Sequence, residues 1–312
     1  MRIIRGLHNL RPADRGCVAT IGNFDGVHVG HRAVFQRLRT RGRELGLPST
    51  VITFEPQPLE YFAPSAAPAR LTRLREKLSA FKADGIERVM LLQFGPKLAQ
   101  MEAQAFVAQL LVHGLGVRFL LVGDDFRFGH GRAGDFALLR EIGLVQGFDV
   151  EDLHTITHGE ERISSTRIRE ALSRGDLGSA RHLLGRPYAI CGRVAHGRKR
   201  GRTIGYPTAN LDLHRRVSPL QGVFAVMVDG VADRSLSGVA NVGTRPTVNG
   251  DHRYLLEVHL FDFSRDIYGR HARVEFRLKL RDEKKFDSFD KLRQQIVLDA
   301  MAAREFLGVP KN

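Results

Sequence analysis

The 312-residue sequence has no tryptophan and only two cysteines, Cys17 and Cys191. Two thiols in a chain of this length are typical of reduced residues, which excludes a disulfide framework and predicts a cytoplasmic location. No apolar run reaches the roughly eighteen residues that a membrane-spanning helix needs. The first residues also lack the long apolar core of a secretory signal. We therefore expect no membrane partner.

Acidic side chains are in deficit. The chain carries 34 Asp and Glu against 48 Lys and Arg, which gives a formal net charge of +14. Such a surplus favours anionic partners, either nucleic acid or phosphorylated small molecules. A basic, solvated surface explains the charge equally well, so charge alone does not choose between these interpretations.

Short apolar segments alternate with helical patterns between residues 17 and 165. The strand candidates, rich in β-branched and aliphatic residues, are 17–22, 49–54, 88–94 and 118–123. The helix candidates, which have apolar positions three and four apart and a glycine near the end, are 31–46, 71–85, 101–116 and 134–147. This alternation predicts a parallel sheet covered by helices, with ligands at the carboxyl ends of the strands.

The rhythm changes after a helical stretch at 163–184. Six segments then alternate apolar and polar residues between turn-forming residues: 189–197, 208–213, 222–230, 235–243, 253–263 and 271–280. A last helical pattern covers 288–308, with Ser288 as its N-cap. The second half therefore predicts a small antiparallel β-barrel with a C-terminal helix, and we expect domains at 1–184 and 185–312.

The string GNFDGVHVGH, residues 22–31, follows the first strand candidate and opens a helix. Gly22, Gly26 and Gly30 allow the backbone to turn tightly and approach a ligand. His28 and His31 lie three residues apart at the helix start, where the helix dipole favours phosphate. A pair of surface loop histidines is the alternative, but the strand–loop–helix context favours a phosphate site.

A second element, ISSTRIR at 163–169, also lies where a helix begins. Ser164, Ser165 and Thr166 offer hydroxyl and backbone N–H groups, and Arg169 adds fixed positive charge. Alone, this pattern is more typical of a capped helix with exposed arginines. Together with the histidine motif, it predicts a second phosphate clamp.

The two elements together resemble the nucleotidyltransferase superfamily, a Rossmann-like fold whose HIGH-type ATP site is shared with class I aminoacyl-tRNA synthetases. No KMSKS-like string occurs, which counts against a synthetase. The strings at 53–58, 71–77 and 122–135 are similar to those of the N-terminal module of the prokaryotic riboflavin kinase/FAD synthetase family. In that family the module transfers AMP from ATP to FMN.

This resemblance implies roles for individual residues. Phe24 and Asp25 would build the nucleotide pocket with the two histidines. The implied flavin-site residues are Phe54, Pro56, Pro58, Phe62, Asp124, Asp125 and Phe128. A purely structural role stays open for the apolar and proline positions. The chemistry needs no general base, because the FMN phosphate is already an ionised nucleophile, and Mg²⁺ would share the developing charge.

The second half contains HGRKRGRTIGYPTANL at 196–211 but no GxxxxGK[ST] string. Gly197, Arg202 and Gly205 belong to a flexible cationic loop that suits a polyphosphate. Thr208 and Asn210, two residues apart on an extended segment, face one side and can both reach Mg²⁺. By itself the stretch is equally consistent with a basic surface hairpin.

The full stretch resembles the riboflavin kinase signature GxxxxGRxxGxPTAN. The resemblance implies that Glu257 is the base for the ribityl 5′-hydroxyl, because an alcohol must be deprotonated where a phosphate need not be. Glu257 and His259 would share one face of a strand. The resemblance also implies flavin contacts at Arg281 and Phe286. We thus expect an enzyme that uses riboflavin, FMN, ATP and Mg²⁺ and yields FAD.

Three alternatives remain. An adenylyltransferase for another phosphate, such as a pantetheine or a pyridine nucleotide, would leave the PTAN loop and Glu257 without a role. A nucleic-acid-binding protein would interleave basic residues with exposed aromatics along a barrel face, whereas here the basic cluster lies in one Gly-rich loop. One module could also have lost activity and only bind flavin. We expect small-molecule partners, no nucleic acid, and at most a weak homo-oligomer.

Overall fold

A parallel sheet and an antiparallel barrel form the centres of two separate units. The structure is a computed structural model that describes residues 1–123, 125–153, 157–158, 161–195, 206–213, 217–246 and 252–310. Unit 1 comprises Met1–Pro68 and Thr72–Ser164, and unit 2 comprises Ala69–Leu71 and Ser165–Asn312. Within the described ranges, no helix has the length and hydrophobicity to cross a bilayer.

The described strands of unit 1 form a parallel sheet in the order β1-β4-β3-β2-β5-β6. These strands are β1 (Arg2–Arg5), β2 (Cys17–Ile21), β3 (Ser49–Glu55), β4 (Arg88–Gln93), β5 (Val117–Gly123) and β6 (Asp149–Leu153). The four predicted strands are confirmed, and β1 and β6 are additional. Strand order reverses between β2 and β5, so the crevice beyond their carboxyl ends is the expected ligand position.

Helices cover both faces of this sheet. They are α1 (Val29–Leu45), α2 (Pro58–Phe62), α3 (Leu74–Ala83), α4 (Pro96–Ala99), α5 (Ala103–Phe106) and α6 (Phe136–Gln146), with a π-helix at Val107–Leu115. Along β5, Leu120 and Val122 join one buried cluster, whereas Phe119 and Leu121 join the other. The sheet is therefore buried on both sides, which is why the inner strands β2, β4 and β5 are largely apolar. A short hairpin, β7 (Thr157–His158) and β8 (Glu161–Arg162), precedes unit 2.

The described strands of unit 2 close into an antiparallel barrel in the order β10-β13-β12-β11-β14-β9, with β9 also paired to β10. They are β9 (Ala189–Ala195), β10 (Ala209–Asp212), β11 (Gly222–Asp229), β12 (Leu236–Pro246), β13 (His252–Leu260) and β14 (His271–Arg281). Helix α9 (Phe289–Leu307) follows, and the Ser288 hydroxyl accepts the Lys291 N–H at 3.2 Å. The predicted barrel, C-terminal helix and N-cap are confirmed.

The stretch predicted as helical at 163–184 contains two helices, α7 (Ser165–Arg174) and α8 (Leu177–Leu184). Gly175 adopts a left-handed φ of 78°, and the Asp176 carboxylate accepts the Ser179 N–H at 2.9 Å, which caps α8. By their packing both helices belong to the barrel unit. The functional division at residue 184 stays a prediction.

Candidate active sites

The loop between β2 and α1 is wound into the left-handed region at Phe24 (φ 48°), Gly26 (φ 83°) and Val27 (φ 45°). A β-branched residue such as valine rarely adopts this conformation, so the surrounding structure must hold it there. The side chains of Phe24 and Val27 are buried in the core cluster on one face of the sheet. Core packing thus supports a strained loop at the topological switch point.

Asp25 ties this loop to the segment before α3. Its buried carboxylate accepts the N–H of Thr72 at 2.9 Å and the Thr72 hydroxyl at 3.1 Å. The same hydroxyl accepts the Gly26 N–H at 2.9 Å. Asp25 therefore shapes the loop backbone. Thr72 was not among the predicted site residues, although it lies in the 71–77 string.

His28 and His31 each hydrogen-bond to the other's backbone at the start of α1. The His28 Nδ1 accepts the His31 N–H at 3.3 Å, and the His31 Nδ1 accepts the His28 N–H at 3.4 Å. The two rings stack with centroids 3.5 Å apart and planes 19° apart. Because each Nδ1 is an acceptor, each neutral ring carries its proton on Nε2. The helix start thereby offers two imidazole donors where the dipole already favours an anion.

Gly22 and Gly30 leave room for neighbouring aromatic rings. A Cβ at position 30 would lie 3.2 Å from the His28 ring, and a Cβ at position 22 would lie 3.1 Å from the Phe24 ring. Phe24 in turn meets the His31 ring edge-on, with centroids 5.1 Å apart. Of the three glycines expected to turn the backbone, Gly26 has a left-handed φ, which it shares with Phe24 and Val27, whereas Gly22 and Gly30 do not.

Aromatic side chains gather beyond the carboxyl ends of β3 and β4. Phe94 meets Phe54 at 5.7 Å, Tyr61 at 5.7 Å and Phe62 at 5.5 Å between ring centroids. Phe62 is 62% exposed. An exposed aromatic ring supported by others offers a stacking surface for a flat ligand. Tyr61 and Phe94 were not predicted as site residues, although Phe94 directly follows β4.

Pro56 lies in the short connection between β3 and α2, and Pro58 begins α2. The Glu55–Pro56 peptide is cis, and Pro58 is the first residue of α2, where a missing N–H breaks no helical hydrogen bond. Between them Gln57 is buried, and its Nε2 has no hydrogen-bond partner in the described part of the chain. The sequence prediction missed this polar position.

Of the three site residues predicted beyond β5, the structure describes two, and these two differ in exposure. Asp124 lies outside the described residues, and Asp125 is exposed. Phe128 is buried, stacks on Phe126 at 5.5 Å and packs against Phe106 at 5.5 Å. Its side chain therefore belongs to the core beneath the loop.

The second predicted phosphate element spans the boundary between the units. Ser164 ends unit 1, whereas Ser165 and Thr166 open α7 in unit 2. Thr166 is exposed, and the Arg169 Nε donates to the carbonyl of Ala69 at 2.6 Å. Ser165 and Thr166 thus lie at a helix start, as predicted.

In the barrel, Glu257 on β13 lies directly opposite Asn210 on β10 and Asn241 on β12. Directly paired residues of antiparallel strands share a face. Leu256 and Val258 are buried on the opposite face, and Glu257 is half-buried. Glu257 and His259 are both half-buried and alternate with the buried Leu256, Val258 and Leu260, so the prediction that they share one face of a strand is confirmed.

Asn210, paired with Glu257, and Thr208, two residues earlier, carry side-chain oxygens that could bind a cation. The Asn210 Nδ2 donates to the Thr208 carbonyl at 3.4 Å, which directs its Oδ1 elsewhere. An amide oxygen and a hydroxyl fit a hard cation such as Mg²⁺. The described residues contain no group of three or more His, Cys, Asp or Glu that could hold a metal. A cation here would take its other ligands from phosphate and water, as Mg²⁺ commonly does. Gly197, Arg202 and Gly205 lie outside the described residues.

His259 anchors the segment before Thr208. Its Nδ1 is 2.9 Å from the Pro207 carbonyl, an acceptor, so that nitrogen carries the proton. Tyr206 packs edge-on against the imidazole at 4.9 Å. Burial lowers the pKa of His259, which favours the neutral ring. His259 therefore positions the start of the Pro-Thr-Ala-Asn segment.

Arg281 lies in a part-buried ion pair with α9. Its Nε donates to the Asp299 Oδ1 at 2.9 Å, and its Nη2 donates to the Asp299 Oδ2 at 2.7 Å. Gln295 also donates to Asp299 at 2.9 Å, and the half-buried Phe286 ring lies 5.7 Å from the Arg281 guanidinium carbon. The guanidinium, predicted as a flavin contact, is engaged in fastening α9 to the end of β14.

Both halves of the chain are similar to known protein families. A family model described as FAD synthetase matches residues 10–167, and one described as riboflavin kinase matches residues 184–307. The bifunctional riboflavin kinase/FMN adenylyltransferase of Escherichia coli K12 is 54% identical over 312 residues, covering 100% of this chain and 99% of the relative. The Pseudomonas fluorescens protein of the same name is 52% identical, covering 97% of each chain.

A solved structure extends the comparison to the fold. The crystal structure described as a macrolide-efflux protein from Streptococcus pneumoniae has a TM-score of 0.81 and 32% identity, covering 97% of this chain and 99% of that one. Sequence identity above one half over the full length, together with two successive domain matches, defines the relationship. The chain belongs to the family of bifunctional riboflavin kinase/FMN adenylyltransferases, enzymes of flavin cofactor biosynthesis.

Proposed function

We propose that residues 185–312 phosphorylate riboflavin to FMN with ATP, and that residues 1–184 transfer AMP from ATP to FMN, giving FAD and pyrophosphate. This division of the two activities rests on the contrast between the two sites. One presents two imidazole donors at a helix start, and the other presents a carboxylate flanked by asparagines. Phosphate attack needs no base, whereas alcohol attack does.

In the adenylyl transfer, an oxygen of the FMN phosphate attacks the α-phosphorus of ATP, and the bond to the β-phosphate oxygen breaks. His28 and His31 donate from Nε2 to phosphate oxygens as negative charge develops. Gly22, Phe24, Asp25 and Gly30 keep the rings and the loop in place. We assign the second phosphate clamp to Ser164, Ser165, Thr166 and Arg169.

The flavin of FMN is proposed to lie beyond β3 and β4. The rings of Phe54 and Phe62 offer the stacking surface, with Tyr61 and Phe94 supporting it. Pro56 and Pro58 hold the loop that carries it, and we assign Asp124, Asp125 and Phe128 to the flavin site on the family resemblance. The exposure of the Phe62 ring favours this position for a planar ligand.

In the kinase reaction, Glu257 takes the proton of the ribityl 5′-hydroxyl as that oxygen attacks the γ-phosphorus of ATP, and ADP leaves. Thr208 and Asn210 would hold Mg²⁺, which neutralises charge on the phosphates. Gly197, Arg202 and Gly205 are assigned to the polyphosphate, and Arg281 and Phe286 to the flavin side. The neighbouring His259 holds the Pro207 carbonyl, which supports the placement of Thr208.

The test follows flavins by chromatography after adding riboflavin, ATP and MgCl₂ to wild type, Glu257→Gln and a His28→Ala/His31→Ala variant. Wild type should form FMN and then FAD, and the histidine variant should stop at FMN. The glutamate variant should leave riboflavin unchanged yet convert supplied FMN to FAD. If wild type adenylylates another phosphate and leaves riboflavin untouched, the flavin assignment is wrong.

Mg²⁺ dependence is tested in the same assay by replacing MgCl₂ with EDTA, which should stop both steps. We also propose that the enzyme works in the cytoplasm on small molecules, as a monomer or weak homo-oligomer. The Cys17 thiol is buried with its pKa raised to about 11, which fits an inert, reduced cysteine. Sedimentation across a range of protein concentrations would measure the oligomeric state.

A further inference from the structure

A polar atom on the strand next to Glu257 is buried and makes no hydrogen bond to any described residue. The Oδ1 of Asn241 has no hydrogen-bond partner in the described part of the chain. Asn241 lies on β12 directly opposite Glu257, and Asn210 lies opposite Glu257 on the other side. Since a buried acceptor without a donor destabilises the fold, its position next to a proposed catalytic carboxylate suggests that a ligand supplies the donor.

The orientation of the Asn241 amide is fixed by Glu283. The Asn241 Nδ2 donates to the Glu283 Oε1 at 3.4 Å, and the Gln221 Nε2 donates to the Glu283 Oε2 at 2.7 Å. A flipped amide would bring its oxygen against a carboxylate oxygen, which is repulsive. The Oδ1 of Asn241 must therefore point away from Glu283.

Gly243 makes this arrangement possible. The Glu283 carboxylate lies so close to Gly243 that a Cβ there would overlap it. The φ of Gly243 lies outside the left-handed region, so the backbone does not require glycine at this position. The space that the missing side chain leaves is filled by the group that orients Asn241.

The donor that reaches Asn241 must come from the substrate portion next to Glu257. Side chains directly opposite on antiparallel strands have Cβ atoms only about 5 Å apart. If Glu257 acts on the 5′-hydroxyl, as proposed above, the nearest substrate donors are the hydroxyls of the ribityl chain. We propose that the Asn241 Oδ1 accepts a hydrogen bond from a ribityl hydroxyl, which makes Asn241 a substrate-binding residue and Glu283 its positioning residue.

The experiment compares riboflavin with lumiflavin, which has the same ring system but a methyl group in place of the ribityl chain. Binding to the full-length protein with MgADP is measured by flavin fluorescence. Asn241→Leu, which keeps the volume and removes the acceptor, should weaken riboflavin binding about tenfold. Lumiflavin binding should change less than about twofold, because it lacks the hydroxyl donors.

Two further variants make the result specific. Glu283→Ala frees the amide and should raise the KM for riboflavin while leaving kcat nearly unchanged. Ser237→Ala on the same strand, whose hydroxyl contacts the Met227 sulfur, should alter neither affinity. If Asn241→Leu does not fold, as judged by its thermal transition, the riboflavin-selective loss must appear in Glu283→Ala.

If Asn241→Leu weakens the binding of riboflavin and lumiflavin equally, or weakens neither, the proposed role of Asn241 is wrong. The inference rests on the proposed kinase site, and the two failures are distinguishable. If wild type does not phosphorylate riboflavin, the kinase assignment fails. If wild type does so and the Asn241 variant keeps the riboflavin-to-lumiflavin affinity ratio, only the Asn241 inference fails.

Discussion

His28 and His31 each accept the other's backbone N–H through Nδ1, at 3.3 and 3.4 Å, while their rings stack 3.5 Å apart. This reciprocal arrangement uses the Nδ1 of each ring at the start of α1 and leaves the proton of each neutral ring on Nε2. Capping the helix and the proposed donation to phosphate therefore use different nitrogens of the same two side chains. Substitutions can separate them.

His28→Asn keeps an N-cap acceptor but loses the Nε2 donor, whereas His28→Ala loses both. We predict that conversion of FMN to FAD falls about a hundredfold in each variant, the usual loss for one donor to developing charge. Only the alanine variant should also lose about 1 kcal/mol of stability. Urea unfolding and the two half-reactions measure this. Unchanged FAD synthesis in the asparagine variant would contradict the donor role.

The Thr72 hydroxyl links Asp25 to the N–H of Gly26. In Thr72→Val a methyl replaces the hydroxyl, so the buried Gly26 N–H loses its acceptor. We expect about 2 kcal/mol of destabilisation and slower FAD synthesis, because the strained loop that carries the histidines is released. Thr72→Ser should restore both, and riboflavin phosphorylation should change little. A valine variant with wild-type stability would show that the link is dispensable.

Much of the fold could be predicted because apolar patterns are local. β3 is rich in β-branched residues and β5 in aliphatic ones, and the period of the sequence changes where the sheet gives way to the barrel. β1 has only four residues, and β6 carries three acidic residues among five, so neither gives a strong apolar signal. The helical period at 101–116 also could not distinguish an α-helix from the π-helix that follows α5.

The sites were predictable only where their residues are neighbours in sequence. The spacing of His28 and His31 indicated a shared helix start, but the tautomers depend on the coordinates. The family resemblance implied a flavin contact at Arg281, but it gave no sign of the ion pair with Asp299, which lies eighteen positions later in the sequence. Phe94 was missed for the same reason, since it meets Phe54 only when β3 and β4 pair.

Phe62 offers a test of the flavin surface that is separate from folding. Because its side chain is 62% exposed, Phe62→Ala should leave the free energy of unfolding within about 0.5 kcal/mol of wild type. Loss of a stacking ring should raise the KM for FMN in FAD synthesis about fivefold to tenfold. Phe62→Tyr, which keeps the ring, is the matched control. An unchanged KM in the alanine variant would place the flavin elsewhere.

The pair of Arg281 and Asp299 is well suited to a double-mutant cycle. Removing one partner leaves a largely buried charge unpaired, so Arg281→Leu or Asp299→Leu should each cost about 3 kcal/mol in urea unfolding. The double variant should cost clearly less than the sum, since no orphan charge remains. Additive losses would show that the ion pair does not stabilise the attachment of α9. If Arg281 also binds flavin, the double variant will fold yet show a raised KM for riboflavin.

The lowered pKa of His259 predicts how the stability of the barrel changes in acid. Burial lowers its pKa below the ordinary value of 6.5, and the ring lies near the charges of Arg304 and Asp262. Below pH 6.5 the unfolded chain binds a proton at His259 that the folded chain does not. The stability that the neutral ring contributes is therefore present above pH 6.5 and is lost as the pH falls toward the folded-state pKa.

The comparison variant is His259→Gln, which can still donate to the Pro207 carbonyl but does not titrate. Urea unfolding of both proteins at pH 7.5 and pH 5.5 measures the difference. Wild type should lose more free energy of unfolding between these pH values than the variant, and its kinase activity should fall more steeply, since Thr208 follows the anchored Pro207. If the variant loses as much stability as wild type, other groups control the acid response and His259 acts only through its hydrogen bond.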